Sequence, residues 1–181
     1  MEYKKLIQEE TFPTTQGTIH FLVVDTPDKY IDKQHDIVPK LIKLLQDICL
    51  LEDETFTQQE IYDSEKPSLG LENHIEHPKS RELFYAYKKR YKELLQNLCT
   101  EELISRGYAQ SFRRPAKYSY INTNCTLYFS MKTEKKAEVQ IFYEDNTRKD
   151  KFVFRPFEDG WKIAEMYYGF TRDNSFYKFR M

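Results

Sequence analysis

The spacing of the apolar residues changes from helical to alternating at about residue 117, and this change constrains the fold most strongly. Before it, two stretches repeat apolar residues every three or four positions, which is the spacing of one helix face. After it, apolar and polar residues alternate, which is the pattern of a strand with one buried face. Helices followed by an antiparallel meander predict the α+β class.

The apolar pattern also predicts where each element lies. A strand over 18–24 precedes a first helix over 36–51, for which Asp36 is the predicted N-cap. A second helix begins at Ser80, and a short third helix begins at Thr100 and ends before Gly107. Four strands are predicted over 117–131, 136–144, 150–157 and 160–169. A helix laid across the concave face of this sheet would bury the apolar surfaces of both.

The segment 52–76 interrupts the helical pattern with eight carboxylates and a single lysine. Pro67 and Gly70 lie within it, so we expect a long loop with at most one turn of helix. Its charge makes residues 1–78 strongly acidic, whereas residues 79–181 are basic, although the net charge of the chain is only −1. Such asymmetry indicates either an interaction surface or two parts of the chain that attract each other.

The length of 181 residues suits a single domain over 1–181. Within it, 1–78 holds the acidic strand, helix and loop, and 79–181 holds the second helix and the meander. The three scattered cysteines favour a reducing compartment over a disulfide scaffold. The sequence contains neither an apolar stretch of membrane-spanning length nor an N-terminal secretory pattern, so we expect a cytoplasmic protein without membrane association.

The last strands carry a resemblance to a known fold family. The stretch KFVFRPFEDGWKIAEMYYGF, residues 151–170, resembles the closing hairpin of the nuclear transport factor 2-like fold, and the preceding CTEELISRG is typical of it. The resemblance covers 79–181 and implies helices packed in a cone against a curved antiparallel sheet. The ending WKI-x-E-x-YYGF further resembles bacterial immunity proteins of this fold, which guard against Rhs-type and other polymorphic toxins. The acidic insert departs from this pattern.

The resemblance to immunity proteins implies a non-enzymatic protein that binds and occludes a cognate toxin acting in the cytoplasm. Occlusion requires a large complementary surface and a few anchoring residues. We expect the acidic segment to form part of that surface, because a toxin that acts on nucleic acid needs a cationic cleft. The candidate partner-binding residues are Glu60, Asp63, Glu65 and Glu72. The alternative is that this segment neutralises the basic half of the same chain.

A small-ligand protein or enzyme that uses the cone pocket is the main alternative function. Tyr118, Tyr120 and Tyr128 share one parity on the predicted first strand of the meander, and Glu165 shares a face with Trp161. A buried Glu165 would have a raised pKa and could act as a base. The competing interpretation places Glu165 at the rim, paired with Arg155. No nucleophile with an adjacent base and orienting group is recognisable, so we expect no catalytic residues and no cofactor.

Three further possibilities follow from smaller patterns. His74 and His77 lie near Glu72 and Glu76, but no second cluster provides the ligands that a metal site requires, so we expect none. Cations beside aromatic residues allow nucleic-acid binding, yet the acidic half opposes it and no known motif is present. Homodimers through the convex sheet face are possible, with Tyr128, Phe142 and Tyr143 as apolar contacts.

Overall fold

The computed structural model describes residues 5–144 and 147–181, and within these ranges it combines helices with one open, curved sheet. The α+β class is therefore confirmed. The seven strands are β1 (Leu6–Pro13), β2 (Thr18–Val24), β3 (Cys125–Thr133), β4 (Lys136–Tyr143), β5 (Arg148–Phe157), β6 (Gly160–Phe170) and β7 (Tyr177–Phe179). The four α-helices are α1 (Asp28–Ile31), α2 (Gln34–Glu65), α3 (Ser80–Gln96) and α4 (Glu101–Ser105). Short 3₁₀ helices cover Lys66–Leu69 and Ser119–Asn122.

The strands follow one another across the sheet in sequence order. Every neighbouring pair is antiparallel except β2 and β3, which run parallel and are separated in the chain by all four α-helices. The meander from β3 to β6 is thus present as predicted, although β3 begins at Cys125 rather than at 117. No helix in the described part of the chain has the length and apolar character needed to cross a bilayer.

The helices cover one face of the sheet, and the hydrophobic core lies between the helices and that face. On β3, Leu127 and Phe129 are fully buried, and on β5 Phe152 and Phe154 are fully buried. The apolar stripe predicted for α3 is confirmed, because Tyr87, Tyr91 and Leu95 are buried. Thr100 caps α4 by accepting the backbone N–H of Leu103 at 3.2 Å. Because β-strand side chains alternate, the residues between the core positions point to the outer face of the sheet.

The main correction concerns α2, which spans 32 residues instead of ending at 51. The acidic stretch that was predicted as a loop continues this helix as far as Glu65. Glu and Gln favour helices, and no Pro or Gly occurs between Pro39 and Pro67, so nothing in the backbone stops the helix earlier. Glu52 and Thr55 are still buried, whereas no residue from 56 to 76 is. At 1.5 Å per residue, α2 extends about 15 Å beyond Thr55.

Two smaller differences affect the candidate site. β1 was not predicted, because its polar sequence LIQEETFP has no continuous apolar face; it forms one edge of the sheet. Residues predicted as the start of β3 instead form the 3₁₀ helix Ser119–Asn122 and the segment before it. Tyr118 and Tyr120 therefore do not lie on a strand, and they do not share a sheet face with Tyr128.

Candidate functional site

A cavity of about 220 Å³ opens between α3, the segment 108–117 and the C-terminal residues 179–181. We call it the Lys117 cavity. Aromatic side chains form part of its wall, and charged side chains form the rest. The lining residues that matter here are Glu52, Tyr87, Tyr91, Tyr108, Arg113, Lys117, Arg148, Phe179 and Arg180. A neighbouring cavity of about 470 Å³ shares Arg113, Lys117 and Arg148 with it.

Glu52 ties α2 to the segment that borders this cavity. Its two carboxylate oxygens accept the backbone N–H groups of Arg113 at 3.1 Å and Lys117 at 2.9 Å. Burial raises the pKa of this carboxyl, while the two backbone hydrogen bonds oppose the rise. Both oxygens are therefore used as acceptors, and Glu52 holds the backbone of residues 113–117 against the helix.

A second buried carboxylate, Asp150, lies on the inner face of β5. It accepts the hydroxyl of Tyr143 at 2.8 Å and the Nε–H of Arg148, also at 2.8 Å. Asp150 is only 1% exposed, so this ion pair is largely removed from water. Burial, together with the charge of Asp150, raises the pKa of the Tyr143 hydroxyl well above its usual range.

Lys117 is the cation at the centre of the cavity wall. Its ammonium donates a hydrogen bond to the backbone carbonyl of Arg180 at 2.8 Å. It also lies 4.7 Å from the ring centre of Phe179 and 5.0 Å from that of Tyr118. Burial is the main reason that the pKa of Lys117 falls to about 7, and the nearby positive charge of Arg148 lowers it further. The ammonium is thus held in a site that disfavours its charge.

The structure separates the residues that the sequence placed together in a pocket. Tyr118 is fully buried, and its hydroxyl points to the sulfur of Met166 at 3.4 Å. Tyr120 lines the neighbouring cavity, with its ring centre 5.6 Å from that of Tyr143. Tyr128 lies on the outer face of the sheet, where its ring packs edge-on against Phe142 at 5.3 Å.

Trp161 and Glu165 also lie away from the Lys117 cavity. Trp161 is half-buried and packs at the margin of the core. The register of β5 and β6 shifts between Val153 and Phe154, so Glu165 lies on the outer face, although Ile163 faces the core. There it pairs with Arg155 at 3.4 Å and accepts the hydroxyl of Tyr167. The hydrogen bond from Tyr167 is the main cause that lowers the pKa of Glu165, and Arg155 lowers it further. This shift is opposite to the one expected for a buried base.

The other prominent surface is the acidic arm, which we define as residues 56–79: the exposed end of α2, the 3₁₀ helix and the loop that leads to α3. It contains five carboxylates and two lysines. His77 is its one buried residue, and the His77 ring stacks on Tyr62 with ring centres 4.8 Å apart. His77 also accepts the backbone N–H of Lys79 at 3.1 Å. The loop is thereby packed back onto α2 without entering the core.

All four predicted partner-binding residues lie on this arm, and each lies close to a basic side chain, two of which are histidines that carry charge only when protonated. Glu60 pairs with Arg114, Asp63 with Lys66, Glu65 with His77 and Glu72 with His74, at distances of 2.8, 2.8, 3.2 and 3.2 Å. Only the first of these pairs joins the arm to the basic half of the chain. The carboxylate side chains nevertheless stay between 46% and 78% exposed, so they remain open to a partner.

The acidic arm also exposes large apolar side chains. Ile61, Leu69 and Ile75 are 46%, 54% and 42% exposed. Such residues normally contribute to a core, and here they are surrounded by carboxylates on a part of the chain that lies outside it. The arm therefore combines exposed apolar side chains with negative charge.

Sequence reasoning missed the charged residues of the Lys117 cavity and the buried Asp150 beside them. For Asp150 a signal was available: it shares strand parity with Phe152 and Phe154, so its carboxylate was expected to face the core. Glu52 and Lys117 gave no such signal, because each was assigned to an element that the structure does not contain. Their proximity arises only when α2 continues past 51 and the segment before β3 folds onto it.

The structure also bears on the remaining sequence-based candidates. Tyr143 faces the core and is buried, so it cannot contribute to a dimer contact on the outer face as predicted, whereas Phe142 and Tyr128 remain on that face. Within the described residues, no group of three or more His, Cys, Asp or Glu side chains is arranged to hold a metal ion. Burial raises the pKa values of Cys49 and Cys99 to about 12, as befits thiols that pack in a core.

Comparison with known proteins identifies no relative. No family model, no curated protein and no solved structure matches this chain.

Proposed function

We propose that this chain is a non-enzymatic immunity protein of the nuclear transport factor 2-like fold, which binds a cognate bacterial toxin and occludes its active cleft. The toxin would act in the cytoplasm on nucleic acid. The contact surface is the acidic arm. The resemblance of residues 151–170 to immunity proteins and the α+β arrangement, with helices on one face of an open sheet, both agree with this assignment.

The observation that carries the proposal is the exposure of apolar side chains on the arm. Ile61, Leu69 and Ile75 expose between 42% and 54% of their surface, although they lie on a segment held in place by specific contacts. Apolar residues that become fully desolvated at the centre of an interface supply most of its binding free energy. In the free protein these three side chains have no core to enter, and binding to a partner would remove them from water.

Charge then determines which kind of partner fits. A toxin that cleaves or modifies nucleic acid binds phosphates with lysine and arginine. The exposed carboxylates of Glu60, Asp63, Glu65 and Glu72 would take the place of phosphates in such a cleft. They would also speed encounter, because opposite charges steer association and the effect weakens with salt. The pairs of Glu60 with Arg114 and of Glu72 with His74 join exposed side chains. Pairs of that kind contribute little to stability, so exchanging them for partner contacts costs little.

The test is co-expression with the product of the gene immediately upstream, which under this proposal encodes a toxin domain. We expect the wild-type chain to restore growth and to form a stable complex with the purified toxin. Leu69→Ser and Ile61→Ser should weaken that complex at least tenfold each, because each removes an apolar anchor. Leu50→Ser is the matched control, since Leu50 is 59% exposed on the same helix but lies before the arm.

Two outcomes would contradict the proposal. One is that the wild-type chain neither protects cells nor binds the toxin. The other is that Leu50→Ser weakens binding as much as the two arm variants do, which would move the interface away from the arm. Thermal melts of all three variants should match that of the wild type, because the substituted side chains are exposed and make no core contacts.

A further inference from the structure

Cations from separate parts of the chain converge on the Lys117 cavity. Arg113, Lys117 and Arg148 line both this cavity and its neighbour. Arg180 adds a further cation to the first cavity, and Arg114 adds one to the second. Among the described residues, Glu52 is the one acidic side chain that lines either cavity. Cationic side chains therefore outnumber acidic ones in the walls, although Arg148 is paired with Asp150, and Arg114 is paired with Asp53 and Glu60.

The buried carboxylates nearby are already engaged. Both oxygens of Glu52 accept backbone N–H groups, and Asp150 accepts the hydroxyl of Tyr143 and the Nε–H of Arg148. Within the described part of the chain, Lys117 forms no ion pair with either of them. Its ammonium has three donor hydrogens, of which the carbonyl of Arg180 takes one.

Two cationic groups lie close to one aromatic ring at this cavity. The ammonium of Lys117 lies 4.7 Å from the ring centre of Phe179, and the guanidinium carbon of Arg148 lies 5.6 Å from the same centre. Holding the Lys117 ammonium near Arg148 in a partly buried site costs free energy, of which the carboxylate of Asp150 offsets a part. An anion beside Lys117 would reduce the remaining cost and would accept the remaining hydrogens of its ammonium.

We propose that the Lys117 cavity binds a small organic oxyanion, with its charged end among Lys117, Arg113 and Arg148 and its apolar body against Tyr87 and Phe179. The cavity volume of about 220 Å³ limits the size of the anion, since it equals the volume that about seven water molecules occupy in the liquid. Phosphate monoesters and carboxylates share the required chemistry. This site does not depend on the acidic arm or on a toxin partner. Failure of the proposed function would therefore leave this proposal unaffected, and the reverse also holds.

Binding can be measured with three probes: inorganic phosphate, phenyl phosphate and benzoate. Each is titrated into isotope-labelled protein at constant ionic strength, and the backbone amide shifts are followed by NMR. We expect saturable shifts concentrated at residues 108–118 and 177–181. Phenyl phosphate or benzoate should bind more tightly than inorganic phosphate, because each adds an apolar body. Comparison of the two aromatic probes tells a phosphate monoester site from a carboxylate site.

Substitutions assign the binding to the proposed residues. Lys117→Met keeps the length of the side chain and removes its charge, and it should weaken binding at least tenfold while the protein stays folded. Arg113→Gln should also weaken binding, and because this side chain is exposed the variant carries little risk to folding. Lys132→Met is the matched control, since Lys132 is exposed and far along the sheet, and it should bind as the wild type does.

The proposal is overturned if none of the three probes gives saturable shifts up to about 20 mM, which exceeds the dissociation constant expected for even a weak specific site. It is equally overturned if Lys117→Met and Arg113→Gln bind as tightly as the wild type. Shifts spread over the exposed lysines, with the same affinity in Lys132→Met and Lys117→Met, would show non-specific ion binding and would also reject it.

Discussion

The carboxylate of Glu52 accepts the backbone N–H of Lys117 at 2.9 Å, which joins the middle of α2 to a residue 65 positions later in the chain. The other oxygen of the same carboxylate accepts the N–H of Arg113. This one side chain thus holds the segment that supplies two cations to the cavity wall. It also explains why α2 passes 51 without leaving the core, because its acidic residue at 52 faces inward onto backbone donors.

The Glu52→Gln variant should lose stability although its shape barely changes. Glutamine has one acceptor oxygen, so its NH₂ group would face one of the two backbone N–H donors and leave that donor unsatisfied. A buried donor without a partner costs about 1–3 kcal/mol. Chemical denaturation measures the loss. Glu54→Gln, an exposed position two residues away on α2, should change the free energy of unfolding by about 0.5 kcal/mol or less. Equal effects of the two variants would contradict the account.

Lys117 should contribute stability that rises between pH 7 and pH 9, whereas the buried thiols of Cys49 and Cys99, whose pKa values are raised to about 12, should oppose that rise above about pH 8.5. The pKa of Lys117 is about 7 in the folded state and about 10.4 in the unfolded chain, so the unfolded state binds more protons between these values. Folding is then favoured as the pH increases, by at most about 1.4 kcal/mol per unit from this group. The stability gained at high pH is lost as the pH falls towards 7.

The Lys117→Met variant isolates this contribution. The wild type should gain stability relative to this variant as the pH rises from 7 to 9, and at pH 7 the variant should be at least as stable as the wild type, because a buried charge has been removed. Denaturation curves at several pH values provide the comparison. Parallel pH profiles for the two proteins would show that Lys117 titrates normally in the folded state.

Breaking the Asp150 ion pair should be strongly destabilising. Asp150→Asn removes the charge that balances Arg148 and leaves a largely buried guanidinium without its carboxylate. Loss of one partner of a buried pair costs about 3–5 kcal/mol, and the partial exposure of Arg148 places the expected value near the lower limit. Asp159→Asn, at an exposed turn, is the control. A loss below about 1 kcal/mol would mean that the pair is not insulated from water.

The two halves of α2 should differ in hydrogen exchange. Amides of 37–51 lie on a helix whose residues contact the core, so their exchange requires extensive unfolding. Amides of 56–65 belong to the same helix, but none of the residues 56–65 is buried. We expect them to exchange markedly faster, with the transition near Thr55. Uniform protection along the whole helix would contradict the view that the arm lies outside the core.

Most of the sheet could be predicted from the sequence, because apolar residues alternate with polar ones along a strand that has one buried face. β2 matches the predicted range of 18–24, and β4 and β6 agree to within a residue or so. The polar edge strand β1 lacks this alternation, so it could not be predicted. The second half of α2 could not be recognised either, since a helix whose residues face solvent has no apolar period, and there the absence of Pro and Gly was the informative feature.

The charged cavity could not be predicted, for a different reason. Its residues come from α2, from the segment before β3, from β5 and from residues 179–181, and only the folded chain brings them together. By contrast, Glu165 was named because it shares parity with Trp161 in the sequence. The register shift in the β5–β6 pair changes that parity, and alternation alone does not reveal such a shift.

The central claim is that the acidic arm is the binding surface for a toxin with a cationic cleft. The most direct measurement is the dissociation constant of the complex for the wild type and for a variant with Glu60→Gln, Asp63→Asn, Glu65→Gln and Glu72→Gln, at low and at moderate salt. We predict similar melting temperatures, slower association and a smaller salt dependence for the variant, since rim charges act mainly on the association rate. Unchanged association with a lower melting temperature would contradict the claim, because the arm would then serve only to neutralise the basic half of its own chain.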